Sequence, residues 1–222
     1  MCDGCHNVGV NVPTDPRPDD TAWPQAQWPP PHELRGDHIV LTQFVPDDAP
    51  ELFAALDHDP CWAHVAGRPR SPAQYAGVLS EAPASGRWPW VIRTLRPLGE
   101  APGGAVVGTT SYFDLSLHDA RIEIGNTVYS PSVWATKVNP EAKLLLLSWA
   151  FDHGFGRVQL KTDIRNHRSQ RAIAGLGATY EGILRRYQRR DDGTVRDTVM
   201  FSVTAEEWPA VETRLRERLS DA

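Results

Sequence analysis

Between Asn139 and Gly177 the chain runs from a helix start through an apolar helix and a strand into a second, basic helix. A helix that is apolar nearly all round has to be covered by other structure, and here that cover is a sheet. Asn139 reads as the N-cap, Pro140 suits the first helical position, and Glu141 adds negative charge where the macrodipole favours it. Ala142, Leu144, Leu145, Leu146, Leu147, Trp149, Ala150 and Phe151 leave almost no polar face before Gly154 stops the helix. The N-terminus of such a helix points free amides at solvent or at a ligand. Residues 157–163 alternate polar and apolar through Val158, Leu160 and Thr162, the period of a strand with one buried face. Asn166 caps the second helix, Ala172, Ile173 and Leu176 form its apolar stripe, and Gly177 closes it where a left-handed residue is needed.

The rest of the chain supplies strands first. Residues 38–44 alternate into a strand, and Pro46-Asp47-Asp48 starts a helix through Leu52, Phe53 and Leu56. A loop-rich stretch follows until Ser71-Pro72 starts another helix through Tyr75 and Leu79. Residues 88–93, 105–113 and 121–128 read as three strands, with a turn or loop over 97–104. Residues 179–188 and 194–204 form a pair joined through Asp191-Asp192-Gly193, and 205–219 form a charged final helix. Antiparallel strands in sequence, then strand, helix, strand, helix, strand, indicate a mixed α/β architecture.

Several segments in this order carry a family resemblance over residues 34–208. They are Glu123-Ile124-Gly125 on a central strand, Asn139-Pro140-Glu141-Ala142-Lys143 opening the first helix, and Thr162-Asp163 ahead of Asn166-His167-Arg168-Ser169. Leu176-Gly177-Ala178 and Asp197-Thr198-Val199-Met200-Phe201-Ser202 complete the set. Together they resemble the GNAT superfamily of acyl-CoA-dependent N-acetyltransferases, in particular its RimJ/RimL-like branch. The resemblance implies a GNAT fold: a mixed, mostly antiparallel central sheet, two splayed parallel strands admitting the pantetheine arm, and helices on both faces. It also implies transfer of an acetyl group from acetyl-CoA directly to a primary amine in a ternary complex, with no metal. The acceptor is then a protein N-terminus or a small molecule such as an aminoglycoside, a polyamine or an amino acid. Only Asp57, Asp59 and Glu81 stand in the expected acceptor loops, few for a polycation. One departure is visible: where the superfamily's phosphate loop carries Gln or Arg, then Gly, then Gly or Ala, this chain aligns Trp134, Lys137 and Asn139. That loop motivates the alternative of a non-catalytic acyl-CoA-binding sensor or interaction module.

Direct acetyl transfer needs a neutral amine, a polarised thioester carbonyl and a proton for the leaving thiolate. By resemblance Glu123 is the base, acting directly or through water; the plainer reading pairs it with Arg121, two residues away on the same strand face. Ser169 is placed by resemblance near the cofactor sulfur as the proton donor, against a solvent-facing helix serine. Asn166, one helical turn earlier, would bond the pantetheine amides as well as cap its helix. Lys137, Val138, Asn139, Glu141 and Ala142 at the helix entrance are the other cofactor candidates, with Arg168 from the basic stripe Arg165, Arg168 and Arg171. For Lys137 and the stripe the alternative is an ordinary solvated surface. His153 and His167 are alternative bases or structural histidines, and a backbone amide near Thr127 or Val128 would polarise the carbonyl.

A formal net charge of -5 and a pI of about 5.9 argue against nonspecific binding of nucleic acid. The lack of a leader and of an apolar run long enough to span a bilayer leads us to expect a cytoplasmic protein, and monomer and homodimer are both left open. Cys2, Cys5 and Cys61 make no disulfide framework. Cys2-Asp3-Gly4-Cys5-His6 matches a haem-attachment pattern without an export signal, and His58, Cys61 and His64 have metal-like spacing without a tight four-ligand set. Residues 1–33, rich in Pro, Asp and Asn, are expected to be disordered or extended ahead of a single domain over 34–222, with Trp23 and Trp28 either solvated or docked.

Overall fold

The computed structural model describes residues 22–220. Eight strands form one sheet: β1 (Glu33–Arg35), β2 (Ile39–Gln43), β3 (Arg87–Thr94), β4 (Val106–Ser116), β5 (Arg121–Tyr129), β6 (Arg157–Asp163), β7 (Thr179–Arg189) and β8 (Val195–Thr204). Their spatial order is β1-β2-β3-β4-β5-β6-β8-β7. Every neighbouring pair is antiparallel except β5 with β6. A parallel pair needs a crossover, and helix α4 (Val138–Asp152) supplies it.

Helices cover both faces. α4 lays Leu146, Leu147 and Ala150 on Ile122 and Ile124 of β5 and on Val158 and Leu160 of β6, and α6 (Trp208–Ser220) joins this cluster through Val211 and Leu215. On the opposite face α1 (Ala49–Leu56), the short α2 (Asp59–Trp62) and α3 (Pro72–Glu81) bury Leu52, Leu56, Cys61, Tyr75 and Leu79 against Val91, Val106 and Val128. α5 (His167–Leu176) follows β6.

Local chemistry sets the ends. The Ser71 hydroxyl accepts from the Gln74 amide at 3.1 Å to cap α3. Asn166 accepts from the Ser169 amide at 3.0 Å to cap α5, and Gly177 ends it at φ +102°. α4 starts at Val138, with Lys137 at the cap position. Asn139 is therefore already inside the helix, and its side-chain oxygen instead accepts from the Tyr129 hydroxyl at 3.2 Å.

The segment ahead of β1 is tied to the domain. Trp23 Nε1 donates to the Gly154 carbonyl at 2.9 Å and the Gln27 amide to the His153 carbonyl at 2.8 Å. Trp28 packs edge-on against Trp88, Tyr112 and Trp149, with ring centroids 4.7, 6.0 and 5.7 Å away. Residues 23–32 thus form an extended strap that joins the core, and β1 begins at Glu33. Three aromatic rings offer more apolar contact than water does to a tryptophan in a proline-rich segment. The Cys2 to His6 pattern lies outside the described residues. Cys61 is buried and donates to the Tyr129 carbonyl, and no group of three or more metal-ligand side chains occurs among the described residues.

Candidate active site

The parallel ladder between β5 and β6 holds for three residues only, Arg121, Ile122 and Glu123 against Arg157, Val158 and Gln159. Both strands continue, β5 to Tyr129 and β6 to Asp163, without pairing again. Beyond Glu123, β5 is held by β4 alone and β6 by β8. The sheet opens there into a wedge.

A bulge lies on the β5 wall of the wedge. Pairing runs Thr109 with Val128, then Ser111 with Gly125, so Asn126 and Thr127 together oppose the single residue Thr110. Asn126 has φ 46°, a left-handed conformation that asparagine tolerates better than most residues. Gly125 is required for space, since a Cβ there would come within 2.8 Å of Glu123 Oε1.

Glu123 sits at the vertex of the wedge, 4% exposed. Its Oε2 receives Lys161 Nζ at 2.7 Å and Gln159 Nε2 at 3.2 Å. Arg121 turns away to Asp114 at 2.8 Å and Asp119 at 3.6 Å, so the expected Arg121 pair is replaced by one with Lys161. Burial pulls the Lys161 ammonium down, but Glu123 and Tyr187 outweigh it and leave its pKa raised.

The loops after the two strands carry the other candidates. Ser169 is half-buried in the first turn of α5, its amide bound to Asn166 and its hydroxyl without a hydrogen-bond partner among the described residues. Arg168 lies 3.9 Å over the Trp134 ring, which bridges the loop after β5 to the helix after β6. Lys137 donates to the Leu219 carbonyl at 2.7 Å, towards the end of α6. Val138 and Ala142 are buried in the core; the Ala142 amide already serves the helix, so of the two only the Val138 backbone stands at the entrance.

The Glu141 side chain corrects its expected role. Its carboxylate accepts the amides of Asp37, His38 and Ile39 at 2.6, 3.1 and 3.0 Å, fastening the β1–β2 turn to α4. Three backbone donors converging on one buried carboxylate hold it away from the helix entrance.

Lys143 is the residue that pattern reading passed over. It is 4% exposed, its Nζ donates to Thr127 Oγ1 at 2.8 Å, and Thr127 in turn meets Thr110 Oγ1 at 2.8 Å. It has no carboxylate partner among the described residues, and burial pushes its pKa down to about 7. The signal was present as a lysine inside an apolar run, four residues after Asn139 and on the same helix face.

A split parallel pair, a bulged wall and a helix opening beside them suit a thin amide-bearing arm that ends in phosphates. Residues 38–179 match the family model of the acetyltransferase (GNAT) domain. The chain belongs to the GNAT acetyltransferase family and is an acetyl-CoA-dependent acyltransferase. An uncharacterized N-acetyltransferase of Bacillus subtilis (strain 168), YoaA, is 25% identical over 77% of this chain and 95% of its own. A T. thermophilus protein assigned to the acetyltransferases is 34% identical, covers 87% of this chain and 100% of its own, and superposes with a TM-score of 0.76. Mycobacterium smegmatis RimJ, solved with CoA-disulfide, shares the fold at 20% identity and a TM-score of 0.66, over 83% of this chain and 92% of its own. No helix among the described residues is long and apolar enough to cross a membrane.

Proposed function

We propose that this enzyme transfers the acetyl group of acetyl-CoA directly to a primary amine bound beside Glu123, the amine belonging to a protein N-terminus or a small molecule as in the RimJ/RimL-like branch. The observation that carries this reading is the wedge, whose vertex is a buried carboxylate and whose wall has lost its ladder partners. Acetyl-CoA supplies the acetyl group as a thioester. Asn166 bonds the pantetheine amides, while the backbones of Val138 and Asn139 at the helix entrance meet the phosphates, joined by Lys137 and Arg168 once these leave Leu219 and Trp134.

Glu123 takes a proton from the amine through a water, with Lys161 and Gln159 fixing its orientation. A backbone amide near Thr127 or Val128 polarises the carbonyl where the bulge frees it from the ladder. As the nitrogen–carbon bond forms and the carbon–sulfur bond breaks, Ser169 passes its proton to the thiolate and is reprotonated through water, while Glu123 releases the proton taken from the amine to solvent. No covalent enzyme intermediate is involved.

Calorimetric titration with acetyl-CoA, followed by thiol release across an amine panel, tests this. Glu123→Gln should lower kcat on the order of a hundredfold and leave acetyl-CoA binding intact. Full activity in that variant removes Glu123 from the chemistry, and absence of acetyl-CoA binding in the parent protein removes the wedge as the cofactor site.

A further inference from the structure

A cation stands on the acceptor side of the wedge without a counterion. Arg87, on β3, is half-buried; its Nε donates to Ser111 Oγ at 3.0 Å and its Nη2 to Asn126 Oδ1 at 3.2 Å. Both acceptors are neutral. No carboxylate among the described residues pairs with Arg87, whereas Arg35, Arg68, Arg93, Arg121, Arg157 and Arg190 all have one. A guanidinium presents five N–H donors in a planar fork, so two acceptors leave most of the fork open.

The register places this fork relative to the chemistry. Arg87 is opposite Phe113, Phe113 is opposite Glu123, and Glu123 is opposite Gln159, so the four residues form one row across the sheet. Directly opposed residues share a face, and strands lie about 4.8 Å apart, which sets Arg87 and Glu123 about 10 Å apart at the backbone. Phe113 lies between them, with the Arg87 guanidinium 5.6 Å from its ring centroid. Asn126, which moors the fork, is the bulged residue of the wedge wall.

A second unsatisfied polar group is buried on the same side of the sheet. Tyr75, on α3 over this face, is 3% exposed, and its hydroxyl is buried with no hydrogen-bond partner among the described residues. It is close enough to Arg87 for each to act on the other's ionisation, and burial moves both away from their charged forms. A buried hydroxyl and an unpaired guanidinium are both costly unless something satisfies them.

Resting on the transferase reading above, we infer that the acceptor is an amine that also carries a carboxylate, its nitrogen held near Glu123 and its carboxylate received by the Arg87 fork. An Arg fork matches a carboxylate in a bidentate fashion, and that match rejects an acceptor lacking it because the fork would then stay desolvated and unpaired. A polycationic acceptor would instead meet a positive charge.

Matched pairs of acceptors test this on the intact protein. Thiol release from acetyl-CoA is followed with glycine, β-alanine, 4-aminobutanoate and glycylglycine, each against the amine or amide that lacks the carboxylate. At least one acid should exceed its counterpart in kcat/KM on the order of tenfold or more. Arg87→Met should abolish that ratio through KM, and Arg87→Lys should keep part of it. Calorimetric binding of acetyl-CoA to each variant shows that the fold is retained. Equal rates within every pair, or a preference that survives Arg87→Met, overturns the inference and leaves the transferase intact. Turnover of spermidine above all the acids does the same. Acetyl-CoA binding without thiol release from any amine overturns the transferase reading, and the inference falls with it.

Discussion

At the scale of single residues, the charges of this protein are arranged by what each can find when water is removed. Glu123 has an ammonium and an amide, Asp163 has the Arg190 fork at 2.6 and 3.0 Å, and Lys143 has only a hydroxyl. The last case has a consequence for pH. Lys143 ordinarily titrates near 10.5 and here near 7. Between those values the unfolded chain carries a proton that the folded protein lacks, so stability rises with pH across that window and is lowest below about 7. Lys143→Met removes the linkage, and its melting temperature should climb less steeply than the parent's between pH 7 and 10. Parallel profiles would show that the folded protein keeps Lys143 charged throughout. Glu123 and Ser169 became candidates through the family resemblance of the segments around them. Lys161 and Arg87 did not, because each meets its partners across strands from distant parts of the chain, and only the register brings them together.

Among the elements, those defined by local chemistry match the reading of the sequence closely. β6 spans the alternating residues 157–163, α3 is capped by Ser71, and α5 runs between Asn166 and Gly177. β1 was missed because a three-residue strand shows no period and exists only by pairing with β2. α4 starts before its apparent cap because Asn139 finds a better use beside Tyr129. What joins these two regions is Glu141, whose carboxylate serves the β1–β2 turn as a second anchor besides its strand pairing. Glu141→Ala leaves three amides without their acceptor and should lower stability by about 2–4 kcal/mol in urea unfolding, the scale of a lost buried hydrogen-bond cluster. Gly36→Ala should weaken the same junction, because its Cβ would fall 2.5 Å from Glu141 Oε1. An unfolding midpoint unchanged by Glu141→Ala would mean that water replaces the carboxylate at no cost.

For the molecule as a whole, the sheet order and the two helical layers follow from sequential pairing plus two crossovers, through α4 between β5 and β6 and through α5 past β8 to β7, which is why the fold was the most readable part. The strap was less so, since composition leaves a proline-rich segment disordered or extended and its tryptophans either solvated or docked, whereas in the fold Trp28 has Trp88, Tyr112 and Trp149 to cover. Deleting residues 1–32 should uncover those rings, lower stability by about 2–4 kcal/mol and shift tryptophan emission to the red. An unaltered melting curve would make the strap an ornament. The wedge has a further implication. Strand edges normally lie at the rim of a sheet, where their unpaired backbone groups invite another strand. Here two edges face each other in the middle of the molecule, on β5 beyond Glu123 and on β6 beyond Gln159. The sheet is therefore incomplete by itself, and a ligand with backbone-like amides can take the place of its missing ninth strand, so that occupancy of the wedge closes one continuous hydrogen-bonded layer from β1 to β7.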